Sequence, residues 1–285
     1  MKVMVFLPSY NDTEMAYQKS MKFLENKHVS KILIVDDSDD PNCIDLAKKI
    51  RHGRIKVVLR KRAGKWSAWK LALELARDYD GLIEVDSDVN IETLDPIILN
   101  LRSYDVVTAY PEIVPSDNYV GKSIIKVYRR MHEKLRHEGK FNMGGQVIAL
   151  SRKAVLALLN HGFFNEPVIA DDHVICLAAC VLGLRHTSVD CGLRIRLPST
   201  FSGWIRYRSR HRRAIKWAEH YVGLKTGNID KAAAISRYDI KVTLKHFFRS
   251  LMKESNFIIN LFIFLLLFLA SFLPLESQVK WTKLR

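Results

Sequence analysis

The stretch Leu82–Asp88, LIEVDSD, decides how this chain is expected to fold. Its first four residues predict a short β-strand, and two carboxylates follow that strand two positions apart. Three earlier apolar runs, residues 2–7, 31–35 and 55–59, also predict strands, with helical patterns between them. Strands that alternate with helices are typical of a parallel sheet with crossover helices. The carboxyl ends of such strands share one edge of the sheet, where open α/β sheets bind their ligands.

Acidic residues also follow the first two predicted strands. The first strand runs into Pro8-Ser9-Tyr10-Asn11-Asp12, and the second runs into Asp36-Asp37-Ser38. After the fourth strand, Asp86 and Asp88 can share one hard cation whose remaining positions go to water and phosphate oxygens. The pattern therefore predicts a divalent metal site at Asp86 and Asp88.

The alternation loosens beyond residue 100. Residues 104–109 and 146–150 predict further strands, with a helix over 121–137 between them. Residues 171–182 have helical spacing, and Gly183 is expected to end that helix. Three residues of this helix could be considered metal ligands: His173, Cys176 and Cys180. Nothing nearby completes a zinc site of known spacing, so we expect ordinary helix packing, with buried cysteines, instead of zinc binding.

The composition excludes several classes of protein. The 285 residues are 48% hydrophobic and 26% charged, unlike a disordered chain, a collagen or a small disulfide-stabilised protein. Lys and Arg number 45 against 30 Asp and Glu, a net charge of +15, so we expect an anionic partner such as nucleic acid, nucleotide phosphates or an acidic membrane surface. Four cysteines favour a reducing, cytosol-facing compartment. No secretory signal is expected, because the apolar run after Lys2 ends at Pro8.

The C-terminal region differs from the rest in hydrophobicity. Residues 256–275 carry no charged side chain, and twenty residues of helix span roughly 30 Å, the thickness of a bilayer core. We therefore predict a transmembrane or membrane-inserted segment over residues 257–275, either a single span or a re-entrant hairpin, with a buried core helix or hairpin as the alternative. Residues 240–253 predict an amphipathic helix, and such a helix is expected to lie on an anionic membrane surface. Its apolar surface is supplied by Val242, Leu244, Phe248, Leu251 and Met252. Its cations line one face: Lys241, Lys245, Arg249 and Lys253.

Several short motifs together resemble the family 2 glycosyltransferases. The N-terminal motifs are Pro8-Ser9-Tyr10-Asn11, Val35-Asp36-Asp37-Ser38, Gly64-Lys65 before a helix, and Asp86-Ser87-Asp88. The resemblance continues through Met143-Gly144-Gly145 with Ala149-Leu150-Ser151-Arg152, and through Ala170-Asp171-Asp172 ahead of Gly183. It covers roughly residues 1–215. It implies the GT-A fold, an α/β fold with a Rossmann-like, mostly parallel sheet flanked by helices, and it implies a nucleotide-diphosphate-sugar donor.

Carried over by position, the resemblance implies three sets of site residues. The donor would be bound by Pro8, Tyr10, Asp12, Asp37, Lys65 and Asp86. The predicted donor site also includes three arginines that are chosen for their guanidinium chemistry and not by the resemblance, namely Arg210, Arg212 and Arg213. A divalent metal, Mn²⁺ or Mg²⁺, would be held on the diphosphate by Asp88 and Asp86. The base that deprotonates the acceptor hydroxyl would be Asp172. Asp171 stays open as the alternative, because the family commonly has Glu at that position.

The arginine-rich segment 206–213, RYRSRHRR, has three open interpretations. Its guanidinium groups can grip diphosphate oxygens in bidentate fashion. It can be a solvated basic face that lies on anionic lipid. Interleaved aromatic and cationic residues also suit nucleic acid. The Gln-x-x-Arg-Trp pattern of processive polysaccharide synthases is missing from the sequence, which argues against processive polymer synthesis.

These features predict an inverting, metal-dependent, hexosyltransferase-like enzyme. It would move a sugar from a nucleotide-diphosphate sugar to a hydroxyl of a lipid-linked or cell-surface glycan, and one base without an obvious second nucleophile favours a single displacement. The alternatives are a nucleic-acid-binding protein and a metal-dependent nucleotidyltransferase. The acidic strand ends argue against nucleic-acid binding, because they repel a phosphate backbone. A nucleotidyltransferase would be favoured by a glycine-rich, arginine-bearing loop directly after the first strand, and residues 8–11 are not such a loop.

The expected organisation has four parts. They are a GT-A catalytic domain over residues 1–215, a basic helical region over 216–256, the membrane segment over 257–275 and a short basic tail over 276–285. The expected location is the cell membrane, with the catalytic domain facing the cytoplasm.

Overall fold

A computed structural model describes residues 1–114, 119–139, 141, 145–198, 200–252, 261 and 265. The strands are β1 (Val3–Ser9), β2 (Val29–Asp36), β3 (Ile55–Leu59), β4 (Gly81–Val85), β5 (Val106–Ala109), β6 (Glu112–Ile113), β7 (Val147–Ser151), β8 (His186–Val189) and β9 (Arg194–Ile195). The helices are α1 (Thr13–Phe23), α2 (Pro41–Lys49), α3 (Lys65–Leu75), α4 (Asp95–Asn100), α5 (Tyr119–His137), α6 (Arg152–Asn160), α7 (Asp171–Val181), α8 (Phe201–Thr226) and α9 (Ile229–Leu251).

Seven strands form the main sheet in the order β3-β2-β1-β4-β7-β5-β8. The first four strands along the chain are parallel, as predicted from their alternation with helices. β7 runs antiparallel to both of its neighbours, β4 and β5. The predicted mostly parallel α/β sheet is therefore confirmed. A second, two-stranded sheet pairs β6 with β9.

Both faces of the main sheet are covered, which explains why its strands are apolar almost throughout. On one face, Phe6 and Leu82 pack with Trp69 of α3 and with helices α6 and α7. On the other face, Val5 and Ile83 pack with residues of α1 and α4. Each large apolar side chain removed from water in this way contributes about 1.5–3 kcal/mol.

Helices α8 and α9 pack on the body of the protein. The N-cap of α8 is Thr200, whose side chain accepts a hydrogen bond from Gly203 N, and α8 ends at Gly227 with a φ of 69°. Its residues Val222 and Tyr221 are buried in the same core cluster as α7. The boundary predicted at residue 215 falls inside α8.

One face of α9 is occupied by the protein itself. Phe247 and Leu251 are buried against Val127, Met131 and Leu135 of α5. The sequence analysis assigned Leu251 to a lipid-facing surface, and this is wrong because that side chain is only 1% exposed. Lys241, Lys245, Phe248, Arg249 and Met252 remain exposed.

The predicted membrane segment falls almost entirely outside the described residues. Of residues 257–275, the structure describes Leu261 and Leu265 alone, and the tail over 276–285 is not described. Within the described part of the chain, no helix is both long enough and apolar enough to cross a membrane.

Candidate active site

The carboxyl ends of β2, β1 and β4 lie side by side at one edge of the sheet. β1 pairs in parallel with β2, which places Pro8 opposite Val35 and Ser9 opposite Asp36. β1 also pairs in parallel with β4, and Asp86 directly follows the end of β4. The structure thus gathers most of the residues that the sequence analysis assigned to a donor site.

The two acids after β2 have different surroundings. Asp36 is fully buried, and its carboxylate accepts hydrogen bonds from Thr13 Oγ1 at 2.5 Å and from Ser38 N at 2.9 Å. Asp37 pairs with Arg60, whose Nη2 donates to Asp37 Oδ2 at 3.0 Å. The same oxygen accepts from Gly64 N at 3.2 Å. Asp37 therefore holds the loop before α3, and its contact with a base or ribose stays a prediction.

Tyr10 belongs to an exposed polar network. Its hydroxyl donates to Asp39 Oδ2 at 2.8 Å and accepts from Arg62 Nη1 at 3.1 Å. The Arg62 guanidinium carbon also lies 4.2 Å from the centre of the Tyr10 ring, a cation–π distance. Asn11 donates to Asp39 Oδ1 at 2.7 Å from a left-handed backbone with a φ of 57°, which Asn tolerates better than most residues. Neither Asp39 nor Arg62 was predicted as a site residue, although the acidic residues within 36–40 were a visible signal for Asp39.

Three carboxylates surround Lys65 at the start of α3. Lys65 Nζ lies 2.8 Å from Asp86 Oδ1, 2.9 Å from Glu84 Oε1 and 3.1 Å from Asp171 Oδ2. Trp69 Nε1, one turn further along α3, donates to the same Asp171 oxygen at 2.8 Å. Lys65 thus joins the end of β4 to the beginning of α7, and its predicted contact with donor phosphates or base stays a prediction.

Glu84 is a site neighbour that the sequence analysis missed. Its side chain is 0% exposed, and the only signal was one acid inside the apolar run LIEV. Burial raises the pKa of Glu84 well above its ordinary value, although Lys65 opposes this. Burial alone would lower the pKa of Lys65, but Asp171, Asp86 and Glu84 together raise it well above its ordinary value. Lys65 therefore stays cationic and offsets the negative charge of this cluster.

Lys19 of α1 holds the turn that follows β4. Its Nζ reaches from α1 and donates to the carbonyl of Asp86 at 3.3 Å and to that of Ser87. Ser87 Oγ in turn donates to Asp12 Oδ2 at 3.3 Å. Burial lowers the pKa of Lys19, against the attraction of Asp88, Asp86 and Asp12. Lys19, which the sequence analysis missed, fixes the backbone that carries Asp88.

Asp86 and Asp88 are the residues that could hold a divalent cation. Asp88 is exposed, and Asp86 is half-buried with Oδ1 in contact with Lys65. Paired carboxylates suit hard cations such as Mg²⁺ and Mn²⁺. Among the described residues, no group of three or more His, Cys, Asp and Glu side chains could hold a metal ion. The pair therefore fits a metal that takes its other ligands from phosphate and water.

Asp172 approaches this edge from the first turn of α7. Asp86 N donates to Gln146 O at 3.0 Å, so the residue before β7 lies against the end of β4. A methyl group on the neighbouring Gly145 would overlap Cβ, Cγ and Oδ2 of Asp172. Asp172 therefore packs directly on the backbone beside Asp86.

The two candidate bases differ in exposure. The side chain of Asp171 is 8% exposed and is bound by Lys65 and Trp69. The side chain of Asp172 is 31% exposed. This difference favours Asp172 as the residue that meets a substrate, and its role as the base stays a prediction.

Gly145→Ala is expected to reduce any activity that depends on Asp172 by about tenfold or more. The new methyl group would displace the carboxylate, and displacements of about 1 Å can cost up to about a hundredfold. Initial rates and donor binding would be measured on the same samples. Gly53→Ala is the matched control, because no atom lies within 4 Å of a methyl group placed there. Equal rates for Gly145→Ala and the wild type would contradict the placement of Asp172.

The predicted diphosphate-binding arginines lie in the middle of α8. Arg210 and Arg213 are exposed, and Arg212 is half-buried. Between them, His211 packs against His173 of α7, with ring centres 4.8 Å apart. α8 therefore borders the first turn of α7, and a contact between these arginines and a diphosphate stays a prediction.

Solved structures share this architecture. A mannosyltransferase from Pyrobaculum calidifontis, in complex with GDP-Man and Mn²⁺, superposes with a TM-score of 0.58 and 18% identity over 95% of this chain and 86% of its own. Glucosyl-3-phosphoglycerate synthase from Mycobacterium tuberculosis, in complex with Mn²⁺, UDP and glucosyl-3-phosphoglycerate, superposes with a TM-score of 0.52 and 19% sequence identity. The match covers 78% of this chain and 80% of the synthase. Mannosyl-3-phosphoglycerate synthase from Rubrobacter xylanophilus superposes with a TM-score of 0.52 and 18% sequence identity, over 80% of this chain and 76% of the synthase.

These likenesses establish the fold. The chain has the GT-A-type fold of glycosyltransferases, so the fold implied by the sequence motifs is confirmed. At these identities the likeness concerns architecture alone. No protein-family model matches the sequence. No curated protein matches it significantly.

Proposed function

We propose that this protein is a metal-dependent glycosyltransferase that uses a nucleotide-diphosphate sugar and inverts the transferred sugar. One observation carries the proposal. The Asp86-Ser87-Asp88 turn is hydrogen-bonded to the chain beside Gly145, and Asp172 packs on that glycine. The carboxylate pair that we assign to the donor and the carboxylate that we assign to the acceptor therefore lie at one sheet edge of a GT-A-type fold. The similar mannosyltransferase and glucosyl-3-phosphoglycerate synthase were solved with Mn²⁺, which supports a divalent metal here.

The donor half of the site would bind and orient the diphosphate. Asp86 and Asp88 would hold Mn²⁺ or Mg²⁺, which when bound neutralises the charge that develops on the leaving nucleoside diphosphate. Lys19 keeps the turn in place through two backbone carbonyls, and Lys65 keeps Asp86 oriented. Groups fixed in advance in this way need no reorganisation as the bond breaks.

The acceptor half would supply the base. An acceptor hydroxyl is a poor nucleophile, so Asp172 would take its proton as the hydroxyl oxygen attacks the anomeric carbon. Asp171 is held by Lys65 and Trp69 and would position the first turn of α7. A single displacement of this kind inverts the configuration of the sugar.

A screen of donors tests this proposal. Purified protein would be incubated with GDP-mannose, UDP-glucose and related nucleotide sugars, with Mn²⁺ or Mg²⁺, and nucleoside diphosphate release would be measured. We expect release from at least one donor that depends on the metal and is abolished by EDTA. A complete panel without hydrolysis or binding would refute the proposal.

We further propose a membrane-associated acceptor, a lipid-linked or cell-surface glycan, with the catalytic domain on the cytoplasmic side. The proposal is supported by the uncharged residues 256–275 and by the cations that α9 exposes before them. Each cation near an anionic lipid surface contributes about 1 kcal/mol of attraction. Lys241, Lys245 and Arg249 are such exposed cations, and Phe248 and Met252 are exposed apolar neighbours.

Fractionation checks the membrane proposal. The full-length chain is expected to require detergent for extraction. A chain truncated after Met252 keeps Phe247 and Leu251, which pack on α5, although it loses Leu261 from that cluster. It is expected to leave the membrane in high salt. Replacing Lys241, Lys245 and Arg249 with Glu in that truncated chain should abolish its remaining salt-sensitive binding. Full-length protein that is soluble at low and high salt alike would contradict the proposal.

A further inference from the structure

His173 is the side chain most closely associated with Asp172. Its backbone N–H donates to Asp172 Oδ1 at 2.9 Å, and its ring Nδ1 lies 3.3 Å from the same oxygen. The other oxygen, Oδ2, lies against Gly145 at the sheet edge. One oxygen of the carboxylate therefore lies against Gly145, and the other faces an imidazole.

Helix α8 holds the His173 ring in place. The ring is 13% exposed and meets the His211 ring at a centroid distance of 4.8 Å and an interplanar angle of 79°. Tyr207 in turn stacks on His211, with ring centres 6.0 Å apart. The His173 ring therefore contacts both the His211 ring and the Asp172 carboxylate, and these contacts keep its Nδ1 directed at Asp172.

The charges around this pair favour an ionised Asp172. Burial alone would raise the pKa of Asp172, but the charge of a protonated His173, its hydrogen bonds and the charge of Lys65 outweigh burial and lower that pKa. When His173 is neutral, its backbone N–H and Lys65 still favour the carboxylate. The titratable groups around this pair include His211 on α8, which contacts the His173 ring, and Lys65 on α3, which acts on Asp172. A carboxylate in such surroundings is a weak base, so it benefits from a second group that accepts the proton.

We propose that His173 is the positioning residue and proton partner of Asp172, an inference that rests on the proposed transferase function. The acceptor O–H bond breaks as its oxygen forms a bond to the anomeric carbon and the nucleoside diphosphate leaves. The proton passes to the Asp172 carboxylate and then to Nδ1 of neutral His173. The carboxylate is thereby restored, and the imidazolium loses the proton to solvent before the next turnover.

The pH dependence of donor hydrolysis tests this relay with water as the acceptor. Mn²⁺-dependent hydrolysis of GDP-mannose or UDP-glucose would be followed from pH 5 to 9 in the full chain. The wild-type rate is expected to rise with pH as His173 loses its proton, at a pH above the ordinary histidine value of about 6.5 because the Asp172 carboxylate favours the imidazolium. In His173→Gln this rise should be absent and kcat should fall about tenfold or more, with the KM for donor unchanged. The matched control His161→Gln changes a histidine at the end of α6 and should keep the wild-type profile.

A titration in the free protein gives a readout that does not need turnover. The His173 ring resonance, assigned from its loss in His173→Gln, would be followed against pH by NMR. Because the Asp172 carboxylate favours the imidazolium, the midpoint is expected to fall by roughly one unit in Asp172→Asn. An unchanged midpoint, or a wild-type rate profile in His173→Gln, would overturn the relay and leave the transferase proposal standing. No metal-dependent hydrolysis by the wild type would overturn the transferase proposal and the relay together.

Discussion

Asp88→Ala is expected to reduce sugar transfer by several orders of magnitude while the protein stays folded. Asp88 is exposed and follows the strand instead of lying within it, so its removal costs little packing. It would be one of two protein carboxylates on the metal, and losing it removes much of the charge compensation at the leaving diphosphate. Transfer rates and Mn²⁺ affinity should be measured together, with Mn²⁺ binding followed by electron paramagnetic resonance.

Asp78→Ala is the matched control for this prediction. Asp78 is also an exposed carboxylate, but it precedes β4 and so lies at the other end of that strand. Its replacement is expected to leave both rate and Mn²⁺ affinity unchanged. Wild-type transfer by Asp88→Ala, or wild-type activity in EDTA, would show that the metal assignment is wrong.

Asp172→Asn is expected to abolish transfer and to spare donor binding. The amide keeps the size of the side chain but cannot accept a proton, and losing a general base costs about 10²–10⁴-fold. Donor affinity should persist because the proposed donor ligands, Asp86 and Asp88, are unchanged. Single-turnover rates and calorimetric titration with donor separate the two effects.

Asp171→Asn is the informative comparison. It weakens the ion pair with Lys65, so it should lower the melting temperature more than Asp172→Asn does. Should Asp171→Asn abolish transfer while Asp172→Asn remains active, the roles of these neighbours would be the reverse of those proposed.

The strands and the acidic strand ends were predictable because their signals are local. An apolar run such as Leu82–Val85 must be buried on both faces, and an acid directly after it must lie at the strand end. The GT-A-type fold followed from several such motifs in order along the chain. The direction of β7 had no comparable signal, because periodicity within a strand is the same for either direction of pairing.

The contacts that assemble the candidate site were not predictable in the same way. Trp69 and Asp171 are 102 positions apart along the chain, and they meet because α3 and α7 pack on the same face of the sheet. The ion pair between Lys65 and Glu84 likewise depends on tertiary structure, because it needs α3 to pack beside β4. In the sequence, Glu84 is an isolated acid within an apolar strand, and nothing local to it indicates that Lys65 is its partner.

Helices α8 and α9 also combine properties that follow from the local sequence with properties that depend on tertiary packing. The sequence predicted a basic, partly apolar helical region over residues 216–256, because those properties depend on residue type and spacing. It did not predict that the arginine-rich residues before 216 belong to helix α8. Only the tertiary structure decided which side of each helix is buried, since Leu251 could pack on lipid or on protein with a similar gain from leaving water. In the same way, the sequence determined that Asp86, Asp88 and Asp172 carry carboxylates. Their arrival at one edge was decided by the pairing of β4 with β7, which brings together residues that local interactions leave apart.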